Sequence, residues 1–275
     1  MSPEVGELDE AAFDEAMAND PDAALALLAD LTGATDEKLR ALAKQLAGRI
    51  LVDLAKQGPA IRRGMGRLQR QRYQPDGGDL DLDASLDAIA VARATRAVPD
   101  PDDLRVIGWS KRDTAYCLVV DRSGSMNGAP LATSAVSAAA VAWRAGRDYS
   151  VIAFSNDAVV AKGQESDKPV DRVITDVLSL RGHGTTDVAL ALRAAAEQLA
   201  RSTAARRVVV LLSDCRSTVP GDVVAAAAAL DELVIIAPEG DSAEAEALGR
   251  AAGARVATVA GPSSIPAAMA RVLES

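Results

Sequence analysis

Aromatic side chains are scarce in this 275-residue chain: two Trp, three Tyr and two Phe, 3% of the whole. A core built on large rings is therefore excluded, and the 49% hydrophobic fraction must fill it with Ala, Val, Leu and Ile. Histidine occurs once, as His183, so a site made of several imidazoles is excluded as well. The two cysteines, Cys117 and Cys215, stand in neither a CxxC nor a metal-ligand spacing, and both fall in apolar, strand-like runs. They read as reduced core thiols of a cytoplasmic protein. No apolar run approaches the roughly 18 residues of a membrane span. The acidic start MSPEVGELDEAAFDE lacks the apolar stretch of a secretory signal. Positive charge is in deficit too: 30 Lys and Arg against 39 Asp and Glu give a formal net charge of -9. That balance disfavours nucleic acid and anionic membranes as partners. It suits cation binding, although solubility alone accounts for it.

What is present falls into two regions of different grammar. Residues 1–103 read as a helical N-terminal region with a charged connector. Residues 35–57 form its clearest helix, with Thr35 as N-cap, Asp36 and Glu37 in the first turn, and Leu39, Leu42, Leu46, Ile50 and Leu54 in one apolar stripe. Gly58 and Pro59 end it. Shorter helices are expected over 10–18 and 22–31. A charge switch follows, in which Arg62, Arg63, Arg67, Arg70 and Arg72 precede Asp76, Asp79, Asp81 and Asp83. It reads first as a solvated connector, with a docking surface as the alternative. The DLDLD run within it fails as a calcium loop: Ala84 replaces the turn glycine and Ala90 the bidentate Glu. Asp83 reads instead as the cap of a helix running to about Arg96, and Pro99 and Pro101 mark a boundary.

Over residues 104–275 strands alternate with helices. TAYCLVV (114–120), RVVVLLS (207–213) and LVIIA (233–237) are short apolar runs typical of strands buried on both faces. Strands are also expected at 149–154, 158–161 and 256–259, and helices at 131–145, 187–200, 219–230, 243–252 and 264–273. The fold class is α/β: a doubly wound, mostly parallel sheet flanked by helices.

In such a sheet ligands bind beyond the carboxyl ends of the strands, where the strand order reverses. Asp121-Arg122-Ser123-Gly124-Ser125-Met126 follows the first apolar strand and Asp214 follows RVVVLLS. Between them lies the glycine-rich Gly182-His183-Gly184-Thr185-Thr186-Asp187, which opens a helix. Asp121, Ser123, Ser125, Thr186 and Asp214 offer hard oxygen donors without thiolate or imidazole, a set suited to Mg2+, with Mn2+ or Ca2+ as alternatives. His183 reads as a loop or rim residue and Cys215 as a packed thiol. Asp187 is either a partner of the metal site or the acid of its helix's first turn. Arg122 and Met126 read as rim residues.

The DxSxS element, the later Thr loop and the Asp after a second buried strand resemble the metal-ion-dependent adhesion site of von Willebrand factor A (VWA) domains. The resemblance covers residues 104–275 and all five positions: Asp121, Ser123, Ser125, Thr186 and Asp214. Thr185 and Thr186 compete for one of them, and Thr186 is chosen because in many bacterial members the Thr directly precedes an Asp. The resemblance implies a protein-interaction module that grips a partner's Asp or Glu through Mg2+. The overall build resembles bacterial cytosolic members of the family, including CoxE-like proteins, which work beside MoxR-type AAA+ ATPases, so such an ATPase or its client is the expected partner. Asp102-Asp103-Leu104-Arg105-Val106 is similar to a segment of magnesium-chelatase D subunits, which makes an accessory subunit of a metal-insertion complex the alternative. A haloacid-dehalogenase-like phosphatase would need an acid two residues after Asp121, where Ser123 stands. With no GxxxxGK[ST] loop and no GxSxG elbow, no enzymatic activity is expected.

Overall fold

A computed structural model describes residues 10–33, 37–56, 67–73, 79–110, 114–123, 128–182 and 184–273. In chain order the elements are α1 (Glu10–Asn19), α2 (Pro21–Leu31), α3 (Glu37–Lys56), β1 (Arg67–Arg72), β2 (Asp79–Leu80), α4 (Leu82–Thr95), β3 (Arg105–Ser110), β4 (Thr114–Asp121), α5 (Ala129–Ala145), β5 (Tyr149–Phe154), β6 (Ala158–Lys162), α6 (Val170–Leu178), α7 (Val188–Leu199), β7 (Arg206–Leu212), α8 (Val223–Ala228), β8 (Leu233–Pro238), α9 (Ala243–Ala252), β9 (Arg255–Val259) and α10 (Ile265–Leu273). Among the described residues no helix is long and apolar enough to cross a membrane.

Packing divides the chain elsewhere than at the expected 103/104 boundary. Residues 1–60 and 114–275 form one compact unit, and residues 61–113 form another. The smaller unit replaces the expected solvated connector with structure: β1 and β2 both pair antiparallel with β3 in a three-stranded sheet. Its helix α4 is capped by Asp81 rather than Asp83. The Asp81 carboxylate accepts from Ala84 N at 3.0 Å and from Arg70 Nε at 2.5 Å, leaving Asp83 in the first turn.

The larger unit holds a six-stranded sheet in the order β6-β5-β4-β7-β8-β9, parallel except for the edge strand β6. Period-two alternation gives the sheet two apolar faces. Tyr116, Leu118 and Val120 of β4, with Val208, Val210 and Leu212 of β7, join the core under α5, α6 and α10. Ala115, Cys117 and Val119, with Val209 and Leu211, face the core under α7, α8 and α9. Both thiols are buried and free, and burial pushes each up to about 12, consistent with packed rather than reactive groups.

Small side chains shape the first of these cores. Every residue of α5 from Ser134 to Ala142 is buried, so the helix is covered by the sheet on one side and by other helices on the rest. The covering helices are α2, α3, α6 and α10. In α3 the buried positions include Ala43, Ala47, Leu51 and Ala55, whereas Leu42 of the expected leucine stripe is exposed. Both α3 and α5 bury alanines, and such small side chains let two helices approach closely.

The starts of the strands are tied by one acid. Glu232 accepts from Arg206 Nε and Nη2 at 2.8 and 2.7 Å and also from Arg255, linking β7 and β9 across the start of β8. The Arg206 hydrogen bonds hold its carboxyl below the usual range. A depressed carboxylate contributes stability above its unfolded pKa, and this is lost as pH falls through the folded value. Glu232→Gln is expected to lower stability by about 1 kcal/mol at neutral pH, after solvent screening. Urea midpoints at pH 7 and at about pH 3.5 check it, since the difference should shrink at the acid pH.

Candidate metal site

The chain leaves β4 outward in two directions, to β5 and β6 on one side and to β7, β8 and β9 on the other. The crevice beyond the ends of β4 and β7 is thus the switch point of the sheet. Register makes the strand ends level there: Val120 pairs with Leu212, and Asp121 pairs with Phe154. Asp121 closes β4, and Ser213 and Asp214 follow β7 directly.

Hydrogen bonds fix these groups. Asp121 Oδ1 accepts from Ser123 N at 2.9 Å, and Oδ2 accepts from Ser213 Oγ at 2.6 Å. Ser213 Oγ in turn accepts from Cys215 N at 2.9 Å. Cys215 has φ +64°, a left-handed residue that turns the chain sharply after β7. Asp214 Oδ1 accepts from Arg216 N at 2.9 Å within that turn.

The Thr loop is pinned from both sides. Thr186 N donates to Thr218 Oγ1 at 2.8 Å, and Thr186 O accepts from Thr218 N at 2.9 Å. Asp187 N donates to Ser155 O, just past β5, at 2.8 Å. Gly184 has φ +82°, and a Cβ there would lie 3.0 Å from Asn156 Oδ1, so glycine meets both a backbone and a space requirement. Thr186 is buried while Thr185 is exposed. Asp187 uses its Oδ1 to cap α7 through Leu190 N at 2.8 Å.

A cavity of about 340 Å³ opens at this end of the sheet. Asp121, Ser123, Ser213 and Asp214 give it a polar end, and Pro130, Leu212, Ile236 and Val259 an apolar one. The structure therefore brings Asp121, Ser123 and Asp214 to one cavity. Thr186 is not among its lining residues and is joined to the site through the segment that follows Asp214. Ser125, Met126 and His183 lie outside the described residues. Arg122 is not an exposed rim residue: it is buried and paired with Asp157, which also accepts from Ser155 Oγ at 3.0 Å.

Burial raises the Asp121 carboxyl above its usual range; the Ser213 and Ser123 hydrogen bonds oppose this, and the nearby Asp214 charge adds to it. Among the described residues neither Asp121 nor Asp214 has a salt bridge. Arg122 is engaged with Asp157, and Arg216 with Asp241 at 2.5 Å and Glu244 at 3.5 Å. Among the described residues no group of three or more His, Cys, Asp and Glu could hold a metal. The set here is two carboxylates plus hydroxyls, an oxygen donor set that fits hard divalent cations. Sequence reading did not find Ser213, Thr218 or Ser155. Ser213 was visible as the hydroxyl ending RVVVLLS, but its role depends on the β4–β7 register.

Residues 54–274 match the family described as VWA domain containing CoxE-like protein. No curated protein matches the chain. Solved structures that align with it include an aerotolerance-related membrane protein from Bacteroides fragilis (17% identity, 58% of this chain and 98% of that one, TM-score 0.46). Others are a von Willebrand factor type A protein from Catenulispora acidiphila (15%, 62% and 43%, TM-score 0.45) and BatB from Bacteroides thetaiotaomicron (15%, 58% and 97%, TM-score 0.45). With most of its length matched, and with a mostly parallel six-stranded sheet between helices, the chain belongs to the VWA domain containing CoxE-like family.

Proposed function

We propose that this chain is a non-catalytic, metal-dependent protein-interaction module. Asp121, Ser123, Ser125, Thr186 and Asp214 hold a divalent cation, Mg2+ first and Mn2+ or Ca2+ by the same donors, and the partner contributes an Asp or Glu. The observation that carries this reading is the Ser213–Asp121 hydrogen bond. It ties the ends of β4 and β7 so that two carboxylates without salt bridges among the described residues face one cavity. A bound cation would neutralise that pair and attract an outside carboxylate. The chain's own residues preorganise the place. Ser123 N and Ser213 Oγ orient Asp121, and the Arg216 amide orients Asp214. The 217–219 segment holds the Thr186 backbone.

VWA domains are widely protein-interaction modules, which supports the coarse reading. The CoxE-like membership supports a MoxR-type AAA+ ATPase, or its client, as the partner. The test is calorimetric titration of the full chain with Mg2+, paired with affinity capture in Mg2+ or EDTA. Saturable uptake and an AAA+ ATPase held at least about tenfold better in Mg2+ are expected, by the size of metal-site effects. A folded protein that takes up no cation, or a partner held equally in EDTA, overturns the reading.

A further inference from the structure

The helices ahead of the sheet reach the candidate site through two carboxylates of α2. Asp30 Oδ1 accepts from Gly128 N at 2.6 Å across 98 residues of sequence. Asp22 Oδ1 accepts from Ser263 N at 2.8 Å across 241 residues. Gly128 directly precedes Ala129 and Pro130, which line one lip of the cavity, and Gly261, two residues before Ser263, lines the other. A Cβ on Gly261 would lie 2.4 Å from Asp22 Oδ2, so the lip and the helix are fitted to one another.

Asp30 occupies a position that its own helix disfavours. It lies in the last turn of α2, at the negative end of that helix's dipole, and that turn has no basic residue. Its placement is explained by what it holds. Gly128 is the N-cap residue of α5, has φ +58° and has no side chain with which to cap. The Asp30 carboxylate supplies the acceptor and the negative charge that this helix start lacks. The bond therefore fixes the lip that Ala129 and Pro130 form, in the same cavity as Asp121 and Ser123.

The geometry points to α2 as a clamp on the lips of the cation site, with Asp30 as a positioning residue that fixes Gly128 at the start of α5. The inference rests on the proposed metal site and adds a linkage to it: docking of α2 sets cation affinity, and by reciprocity a bound cation tightens α2 docking. A process that lifts α2 from the lips loosens the grip on the cation.

The experiment is Mg2+ titration of the full chain, combined with hydrogen exchange of the α2 peptide with and without Mg2+. The variants are Asp30→Ala, Asp30→Asn and Thr32→Val. Thr32 closes the same helix, its hydroxyl donating to Ala29 O at 2.6 Å and reaching Leu178 O at 3.5 Å, both away from the cavity lining, so it reports loosening of the helix end without loss of the Asp30–Gly128 bond. Wild type should bind Mg2+ and protect α2 on binding. Asp30→Ala should bind about tenfold more weakly, in the range of lost supporting contacts around a metal, and should lose the Mg2+-dependent protection. Asp30→Asn keeps an acceptor oxygen and should fall in between, and it carries the test if the alanine variant does not fold. Thr32→Val should bind as wild type does. Wild-type affinity and α2 protection in both Asp30 variants overturn the clamp and leave the metal site standing. A folded wild type that binds no Mg2+ removes the metal site, and the clamp with it.

Discussion

Asp121→Asn is expected to lose metal-dependent binding by about 100-fold or more, at the upper end of metal-site effects, while its metal-free fold is at least as stable as wild type at neutral pH. The two outcomes have one cause. Burial raises the Asp121 carboxyl, with the Asp214 charge adding to it, so ionising this group costs the folded chain more than the unfolded one when no cation is bound. For a raised carboxyl the sign is the reverse of that at Glu232. Stability is fully present below the unfolded pKa and is lost as pH rises through the folded value. Asparagine removes the ionisation and keeps an oxygen for Ser123 N, while the Ser213 hydroxyl can turn to accept from the new amide. Urea midpoints of the two proteins in EDTA should coincide in acid and separate, in favour of the variant, as pH rises. Calorimetry with Mg2+ supplies the other half. Retained cation binding in Asp121→Asn would remove Asp121 from the site; a large loss of metal-free stability would mean that its charge is compensated in the fold.

Legibility of the fold in the sequence followed the physics of burial. Strands covered on both faces are continuous apolar runs, and β5 lies at the expected 149–154, with β7 and β8 within a residue at either end. The helix expected at 243–252 also matches α9. The small sheet was not legible, because RLQRQR carries neither an apolar run nor an alternation; its pairing with β3 comes from partners distant in sequence. Helix α6 was legible and not read: Val170, Val173, Ile174, Val177 and Leu178 keep helical spacing behind Pro169. In α3 the expected stripe holds at Leu46, with Ile50 and Leu54 partly buried against the core, but Leu42 is exposed while Ala43, Ala47 and Ala55 are buried, because what a helix buries depends on its neighbour. At the site, Asp121 and Asp214 could be picked out because strand ends at a switch point are few. The bonds that orient them depend on register between strands about 90 residues apart, and a period-two pattern does not encode register across such a gap.

Deletion of residues 1–60 should cost about 5 kcal/mol or more and leave a chain without cooperative unfolding, whereas a boundary at 103/104 implies a self-sufficient domain beyond it. The ground is the continuity of the core. Leu25, Leu28, Leu46 and Leu51 from α2 and α3 lie in the same cluster as Val136, Val141, Ile174 and Met269. Burying each such leucine is worth about 1.5–3 kcal/mol, an upper figure because unfolded chains already bury some apolar surface. Four of them therefore outweigh a large share of the roughly 5–15 kcal/mol that a domain has to spare. The signal was present in LATSAVSAAAVAW: a helix with almost no polar side needs cover all round, and the strands and later helices supply only part of it. Deletion also removes Asp22 and Asp30, so both lips of the cavity lose their acceptors. Thermal unfolding followed by circular dichroism, with dye binding to exposed apolar surface, reads the result. A truncated chain that melts cooperatively within a few degrees of the full protein would show that α1–α3 are an appendage, and that the uniformly buried α5 can do without them.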